Sequence, residues 1–326
     1  MTLEIKTVRE ITKKPAIVHC SSIVQTNDKD LWCVWYECPY ETSMDTIIKI
    51  SRKGQNDADW GPDEILFDFH GMGLGNPVIW TMDGKEIHIV FSALLEESWA
   101  KGQIFYSSTT DHGKTWSPPT LFVHQIGFMA KTRPVINKNN QILFPLYHEG
   151  EICPYVLVYE DWKSPLAGKL IAETMARTKA IQPTLLHLEQ LTYLMFSRTN
   201  QGCIYKSLSY NNGMSWSICT PTKLPNPNSA LDLVRLPSGE VLLVYNPSPV
   251  NRNHLTVALS KDNTQSWFAR RDIVHGDGEY SYPSAIIDDQ GGIQVSYTEN
   301  RYIIKHAAFD KEWLLEKQLS EPMSTE

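Results

Sequence analysis

Apolar and polar residues along this chain change places over one or two positions, rarely at the three-to-four spacing of an amphipathic helix, which predicts strands throughout. One stretch shows the unit most clearly. Pro183 to Leu188 reads as a first strand, Glu189 to Leu191 as a hairpin, Thr192 to Ser197 as a second strand and Ile204 to Ser209 as a third. A turn rich in small polar residues follows, and Ile218 to Lys223 supplies a fourth strand. The opening of this unit recurs: Asn76-Pro77 precedes Ile87–Phe91, Arg133-Pro134 precedes Ile142–Leu146, and Tyr282-Pro283 precedes Ile293–Tyr297. Each X-Pro step holds the residue before proline extended. In an antiparallel unit, the start of strand one and the end of strand two share one end, and the turn after strand three lies at the other.

A tryptophan ladder counts the units. Trp60, Trp116, Trp162, Trp216, Trp267 and Trp313 follow one another at roughly fifty-residue intervals, a period that suits one propeller blade per repeat. Six rungs predict an all-β fold, a six-bladed β-propeller of four-stranded antiparallel blades. At 326 residues and 42% hydrophobic content, one propeller domain spanning 1–326 is expected, with no linker or low-complexity run to divide it. Ring closure has two solutions. The alternating segment Leu3–Ile11 supplies the outer strand of the last blade, or Trp313–Leu319 does so.

Around three rungs the same turn returns: Thr109-Thr-Asp111-His-Gly113-Lys-Thr115-Trp116, Ser209-Tyr-Asn211-Asn-Gly213-Met-Ser215-Trp216 and Ser260-Lys-Asp262-Asn-Thr264-Gln-Ser266-Trp267. A short carboxylate or amide can bond its own backbone, glycine supplies positive φ, hydroxyls tie the hairpin ends and the indole packs on the blade. Ser51 to Trp60 is a degraded version. These turns resemble the Asp boxes, or bacterial neuraminidase repeats, of the sialidase superfamily, and the resemblance covers nearly the whole chain. It implies a six-bladed propeller. Asp boxes are scaffold, so activity has to be argued from the site.

The formal charge of −7 argues against a nucleic-acid or anionic-membrane surface and leaves glycans as partners. The start of the chain lacks the apolar core of a signal peptide, and no run approaches a membrane span, so a cytoplasmic protein, or one exported without a classical signal peptide, is expected. Cys20, Cys33, Cys38, Cys153, Cys203 and Cys219 are scattered without Cys-x-x-Cys pairs and read as reduced packing residues. Gly71-Met-Gly-Leu-Gly75 precedes a strand and reads as a turn, and His112-Gly-Lys-Thr115 sits inside a repeat turn. No metal-ligand pattern is present, and no cofactor or metal is expected.

The end of the propeller opposite the repeat turns gathers the candidate chemistry. Strand-one starts project His19, Asn76, Arg133, Gln182, Asn228 and Tyr282; strand-two ends and the loops after them add Glu37, His148, Glu149, Arg198, Asn246, Glu299 and Arg301. A structural propeller has little reason to collect charge and aromatic rings there.

Residue by residue, the resemblance implies that Arg198 and Arg252 hold a substrate carboxylate and that Tyr280, in Glu279-Tyr-Ser-Tyr-Pro283, is the nucleophile. It implies an acid on the blade-one loop, Asp45 or its neighbour Glu41. Arg133, Tyr282, His148, Arg301, Glu37 and Asn76 complete a predicted binding ring. Three positions depart from the family. Its first arginine falls on His19, the arginine expected beside Glu37 falls near Pro39, and the glutamate that activates the tyrosine falls on Gln182. Gln cannot accept a proton. Glu149, Glu279, His19 or His148 then stand in as the base, since a phenol of ordinary pKa about 10 needs one.

Three functions follow. The first is a sialidase-like glycoside hydrolase acting on a terminal acidic sugar, either sialic acid or a related nonulosonic or uronic acid, through a tyrosine that departs from the paired-carboxylate scheme. The second is a uronate-directed polysaccharide lyase or His-dependent glycosidase on the same scaffold. The third is a non-catalytic glycan-binding propeller, which the missing glutamate favours.

Overall fold

A computed structural model describes residues 2–12, 16–160, 169–171, 179–316 and 323–326. Six antiparallel sheets follow one another around an axis as a six-bladed β-propeller. Blade one is Ile17–Gln25, Leu31–Cys38, Ile47–Lys53 and Glu64–Phe67 from axis to rim, and blade two is Leu74–Thr81, Ile87–Leu94, Gly102–Thr109 and Thr120–Val123. Blade four is Ala180–Glu189, Thr192–Thr199, Cys203–Ser209 and Thr220–Pro225, close to the bounds that the hydrophobic pattern predicts. Blade five is Asp232–Arg235, Val241–Tyr245, His254–Ser260 and Ala269–His275. In blade three the inner strand is broken into Phe128–Ala130 and Val135–Ile136, both paired with Ile142–His148, and Arg133 lies in the break.

The ring closes through the N-terminal segment. Glu4–Glu10 pairs antiparallel with Ile303–Phe309 and becomes the outer strand of blade six, outside Tyr280–Ile287 and Ile293–Glu299. The alternative through Trp313 is overturned: Trp313 lies in the short helix Lys311–Glu316 and packs on the seam between blades five and six, and 317–319 lie outside the described residues. Trp162 also lies outside them.

Each of six apolar clusters fills one seam between neighbouring blades. The seam made by ring closure has the smallest: Val8, Val18, Cys33, Trp35 and Ile304. Polar contacts supplement it. Arg9 bonds Glu37 at 3.2 Å and Asp63 at 3.0 Å, Lys49 pairs with Asp63, and the Trp60 indole donates to His306 at 3.4 Å. Glu37 therefore serves ring closure rather than the binding ring predicted for it. The arginine it lacks in its own blade arrives from the closing strand.

The three repeat turns share one hydrogen-bond scheme. In the first, Thr115 N donates to Asp111 Oδ1 at 2.9 Å and Gly113 N to Thr109 Oγ1 at 3.1 Å. Ser215 N to Asn211 and Gly213 N to Ser209, then Ser266 N to Asp262 and Thr264 N to Ser260, repeat it. All six cysteines are free, as their scatter predicts.

Candidate functional site

At the end opposite the repeat turns, the inner strands are bent inward by bulges. Register shifts fall between His19 and Ser22, Gly75 and Val78, Ile181 and Thr184, and Ser281 and Ser284. In each shift one residue takes a left-handed backbone: Cys20 at φ 57, Asn76 at 45, Gln182 at 52 and Tyr282 at 56. Pro77, Pro183 and Pro283 follow three of them. Proline has no N–H to give the ladder, so a bulge there forfeits no hydrogen bond. In blade five Asn228 holds φ 56 just before its strand begins. Three of these strained residues, Asn76, Gln182 and Tyr282, line one cavity at this end, and backbone strain of this kind clusters at functional sites.

The bulges frame a polar cavity of about 110 Å³, lined by Tyr36, Glu41, Asn76, Trp99, Tyr147, Glu149, Ile181, Gln182, Arg198 and Tyr282. Arg198 organises its floor. Nη1 donates to the Tyr282 hydroxyl at 2.9 Å and to Gln182 Oε1 at 2.8 Å, while Nε donates to Asn228 Oδ1 at 2.9 Å. The Gln182 amide donates to the hydroxyls of Tyr147 and Tyr282 at 3.3 and 3.4 Å, and Asn76 donates to Tyr147 at 3.0 Å. Residues from blades two, three, four and six thus hold one another in place.

Two further arginines stand on the rim. Arg252 donates to Glu279 at 2.9 Å and to the Asn228 carbonyl at 2.6 Å, so Asn228 joins it to Arg198. Arg301 pairs with the other oxygen of Glu279 at 3.4 Å and with Glu41, whose second oxygen accepts from the Trp99 indole at 3.3 Å.

The surroundings set the proton affinities. Burial raises the Glu149 carboxyl above its usual range, although Arg198 pulls it back. Burial also pushes the Tyr36 and Tyr147 phenols well up. Desolvation would raise Glu279, but Arg301 and Arg252 outweigh it and hold the carboxyl down. For Arg198 the nearby phenols and Glu149 outweigh burial, so it keeps its charge. His19 is 1% exposed, and burial together with Arg301, Arg252, Lys131 and Arg198 drives its pKa well below the usual value. Neither of its ring nitrogens has a partner among the described residues.

Among the predicted site residues, Asn76, Gln182, Glu149, Arg198 and Tyr282 meet at the cavity, with Glu41 beside them. Arg252 and Arg301 reach the rim. Tyr280 does not join them: its side chain packs in the apolar cluster of blades five and six, with its hydroxyl against Gly276 and Gly278. Alternation would give the two tyrosines one facing, and the bulge that begins after Ser281 breaks it and turns Tyr282 inward. Asp45 is exposed on the blade-one loop and lines no part of the cavity, where Glu41 does. His19 packs under Tyr282 with ring centres 4.1 Å apart. His148 stands edge-on to Phe128, and its Nδ1 accepts from Glu151 N at 3.0 Å. Asn246 is fully buried and donates to the Tyr280 carbonyl.

Arg133 lies further along the axis, away from this mouth, bonded to Asp232 at 2.9 Å and to the Leu233 carbonyl at 3.0 Å. There it lines a separate cavity of about 380 Å³ that faces the repeat turns. Asp232 also accepts from Thr184 Oγ1 at 3.1 Å and Ala285 N at 2.9 Å, pinning blades three, four, five and six together. Sequence reasoning missed Tyr36, Tyr147, Trp99 and the buried Lys131. Tyr36 and Tyr147 stand near strand-two ends, the place that signalled the others. Trp99 begins a single 3-10 turn, Trp99–Lys101, and Lys131 sits in the break of the blade-three inner strand, places that the pattern does not fix. Among the described residues, no group of three or more His, Cys, Asp or Glu side chains is placed to hold a metal.

The comparisons with known proteins agree with this fold. The model of the BNR repeat-like domain family matches residues 29–295. No curated protein matches the chain. Among solved structures, the Hadza microbial sialidase Hz136 superposes with a TM-score of 0.75 at 16% identity, over 91% of this chain and 66% of its own. This chain therefore spans about two thirds of that sialidase. The intramolecular trans-sialidase from Ruminococcus gnavus, solved with oseltamivir carboxylate, gives 0.78 at 10% identity over 93% and 96%. A protein of unknown function from Dyadobacter fermentans gives 0.75 at 14% over 94% and 98%. With its repeat turns, its six blades and a family match over most of its length, this chain belongs to the BNR repeat-like domain family and has the propeller fold of the sialidases.

Proposed function

We propose that this protein is a sialidase-like glycoside hydrolase acting on a terminal acidic sugar, with Tyr282 rather than Tyr280 as its nucleophile. The observation that carries this reading is the contact of the Arg198 guanidinium with the Tyr282 hydroxyl at 2.9 Å on the floor of a polar cavity. A cation beside the phenol favours its anion, and the same guanidinium can receive a sugar carboxylate. Tyr282 Oη attacks the anomeric carbon as the bond to the leaving oxygen breaks, giving a covalent glycosyl-tyrosine that water then opens.

Two carboxylates line the cavity and take different parts. Burial raises the proton affinity of Glu149 and suits it to take the phenolic proton in place of the amide Gln182. Glu41, bonded by Trp99 and ion-paired with Arg301, stays ionised and accepts from sugar hydroxyls, and the proton that Glu149 takes from the phenol is the one returned to the leaving oxygen. A binding-only propeller is the second reading, and the proton-inert Gln182 favours it.

A fluorogenic sialoside tests both. Turnover is expected; Tyr282→Phe lowers it by roughly a thousandfold, about 4 kcal/mol of barrier, and Tyr280→Phe leaves it nearly intact. Sialic acid bound without turnover supports the binding-only reading, and loss of activity in Tyr280→Phe but not in Tyr282→Phe overturns the nucleophile assignment.

A further inference from the structure

The cations around the cavity are not equivalent once their partners are counted. Arg252 is paired with Glu279, Arg301 with Glu279 and Glu41, and Arg133 with Asp232. Arg198 is 8% exposed, and its partners Asn228, Gln182 and Tyr282 are neutral groups. Lys131 is 2% exposed. Its ammonium donates to the Pro283 carbonyl at 3.2 Å and lies 5.8 Å from the centre of the Tyr282 ring. Among the described residues neither cation is ion-paired with a carboxylate, although Glu149 lines the same cavity and acts on Arg198 from a distance.

A buried cation without an ion-pair partner is costly, and such perturbed charges gather at functional sites, where a bound anion can supply the missing charge. Both cations converge on Tyr282, with the Arg198 guanidinium also 5.8 Å from its ring centre. The aromatic ring separates Lys131 from the cavity, so the ammonium acts through a low-dielectric layer and not by contact.

We propose that Lys131 and Arg198 together form the anion-selecting element of the cavity, and that Lys131 is a positioning residue for the carboxylate of the bound sugar. Arg252 and Arg301, already paired with glutamates, shape the rim. This rests on reading the cavity as an acidic-sugar site, yet it makes a separate demand: part of the preference for a carboxylate resides in a lysine that no ligand touches.

Thermal-shift titrations of wild type, Lys131→Met and Lys131→Gln test this demand, with sodium acetate as the carboxylate probe against sodium chloride at matched ionic strength. Acetate stabilises the wild type by binding the native state. Either substitution weakens the apparent acetate affinity roughly tenfold, while the melting temperature without ligand holds or rises because an unpaired buried charge has gone. An equal acetate response in wild type and variants, or none in the wild type, overturns the proposal. So does loss of folding in both variants, which marks the lysine as structural. Acetate binding that behaves as described without sialoside turnover leaves this inference standing and sinks the catalytic reading alone.

Discussion

The two ends of the propeller are built on opposite principles. At the repeat-turn end, the defining hydrogen bonds run between residues two to four positions apart, such as Thr109 with Asp111 and Asp111 with Thr115. At the mouth they run between residues 84 apart for Arg198 and Tyr282, and 100 apart for Gln182 and Tyr282. Both ends hold non-glycine residues at positive φ. In the turns these include His112, Asn212 and Asn263; at the mouth they include Gln182 and Tyr282. Asparagine tolerates that conformation through its own side chain, whereas a bulky residue persists there only when surrounding contacts over-determine it. One end is self-contained and repeatable. The other is strained, made once, and held by the rest of the ring.

The largest effect expected from that contrast is at the axis. Asp232→Ala removes the acceptor shared by Arg133, Thr184 and Ala285 and strands a guanidinium, which should cost about 3–5 kcal/mol in denaturant unfolding. A loss below 1 kcal/mol would mean that the mouth does not depend on this pin.

Next come the turns themselves. A methyl on Gly213 would sit 2.3 Å from Leu143 Cδ1 at φ 86, so Gly213→Ala should destabilise by about 2 kcal/mol. Thr264 holds φ 70 at the matching place in the third turn, and Thr264→Gly should gain about 1 kcal/mol by relieving it. Urea midpoints moving the same way in the two variants would break the claim that the turns are equivalent.

The smallest effect is a pH dependence. Donors from Thr115 and Thr109 hold the Asp111 carboxyl down at about 2. Because the folded value lies below the unfolded one, this contribution is complete above pH about 4 and fades as pH falls towards about 2. Asp111→Asn, which copies Asn211 of the second turn, should flatten that part of the acid unfolding curve. A curve unchanged from the wild type would show that the carboxylate contributes nothing in acid.

How far the chain could be read in advance follows from the same contrast. The blade around Trp216 was legible nearly strand by strand, and the ring residues Asn76, Gln182, Arg198 and Tyr282 were correctly placed on one face. Alternation decides which edge of a blade a residue occupies. It did not decide between Tyr280 and Tyr282, two positions apart on one strand, because the bulge after Ser281 changes the facing of everything beyond it. Nor did it separate Arg133 from Arg198: the broken inner strand of blade three sends the former to Asp232 below. Glu37 reads as a rim residue until the N-terminal strand brings Arg9 to it.

The sequence by itself determined the repeat turns, the number of blades and the edge of each blade that faces the mouth, because those depend on side-chain period and on bonds closed within a few residues. Only the tertiary structure decided which tyrosine meets Arg198, which arginines are already paired, and that Lys131 lies buried beneath the ring. Those outcomes depend on the bulges and on charges brought together across the axis, where distance along the chain carries no information about distance in space.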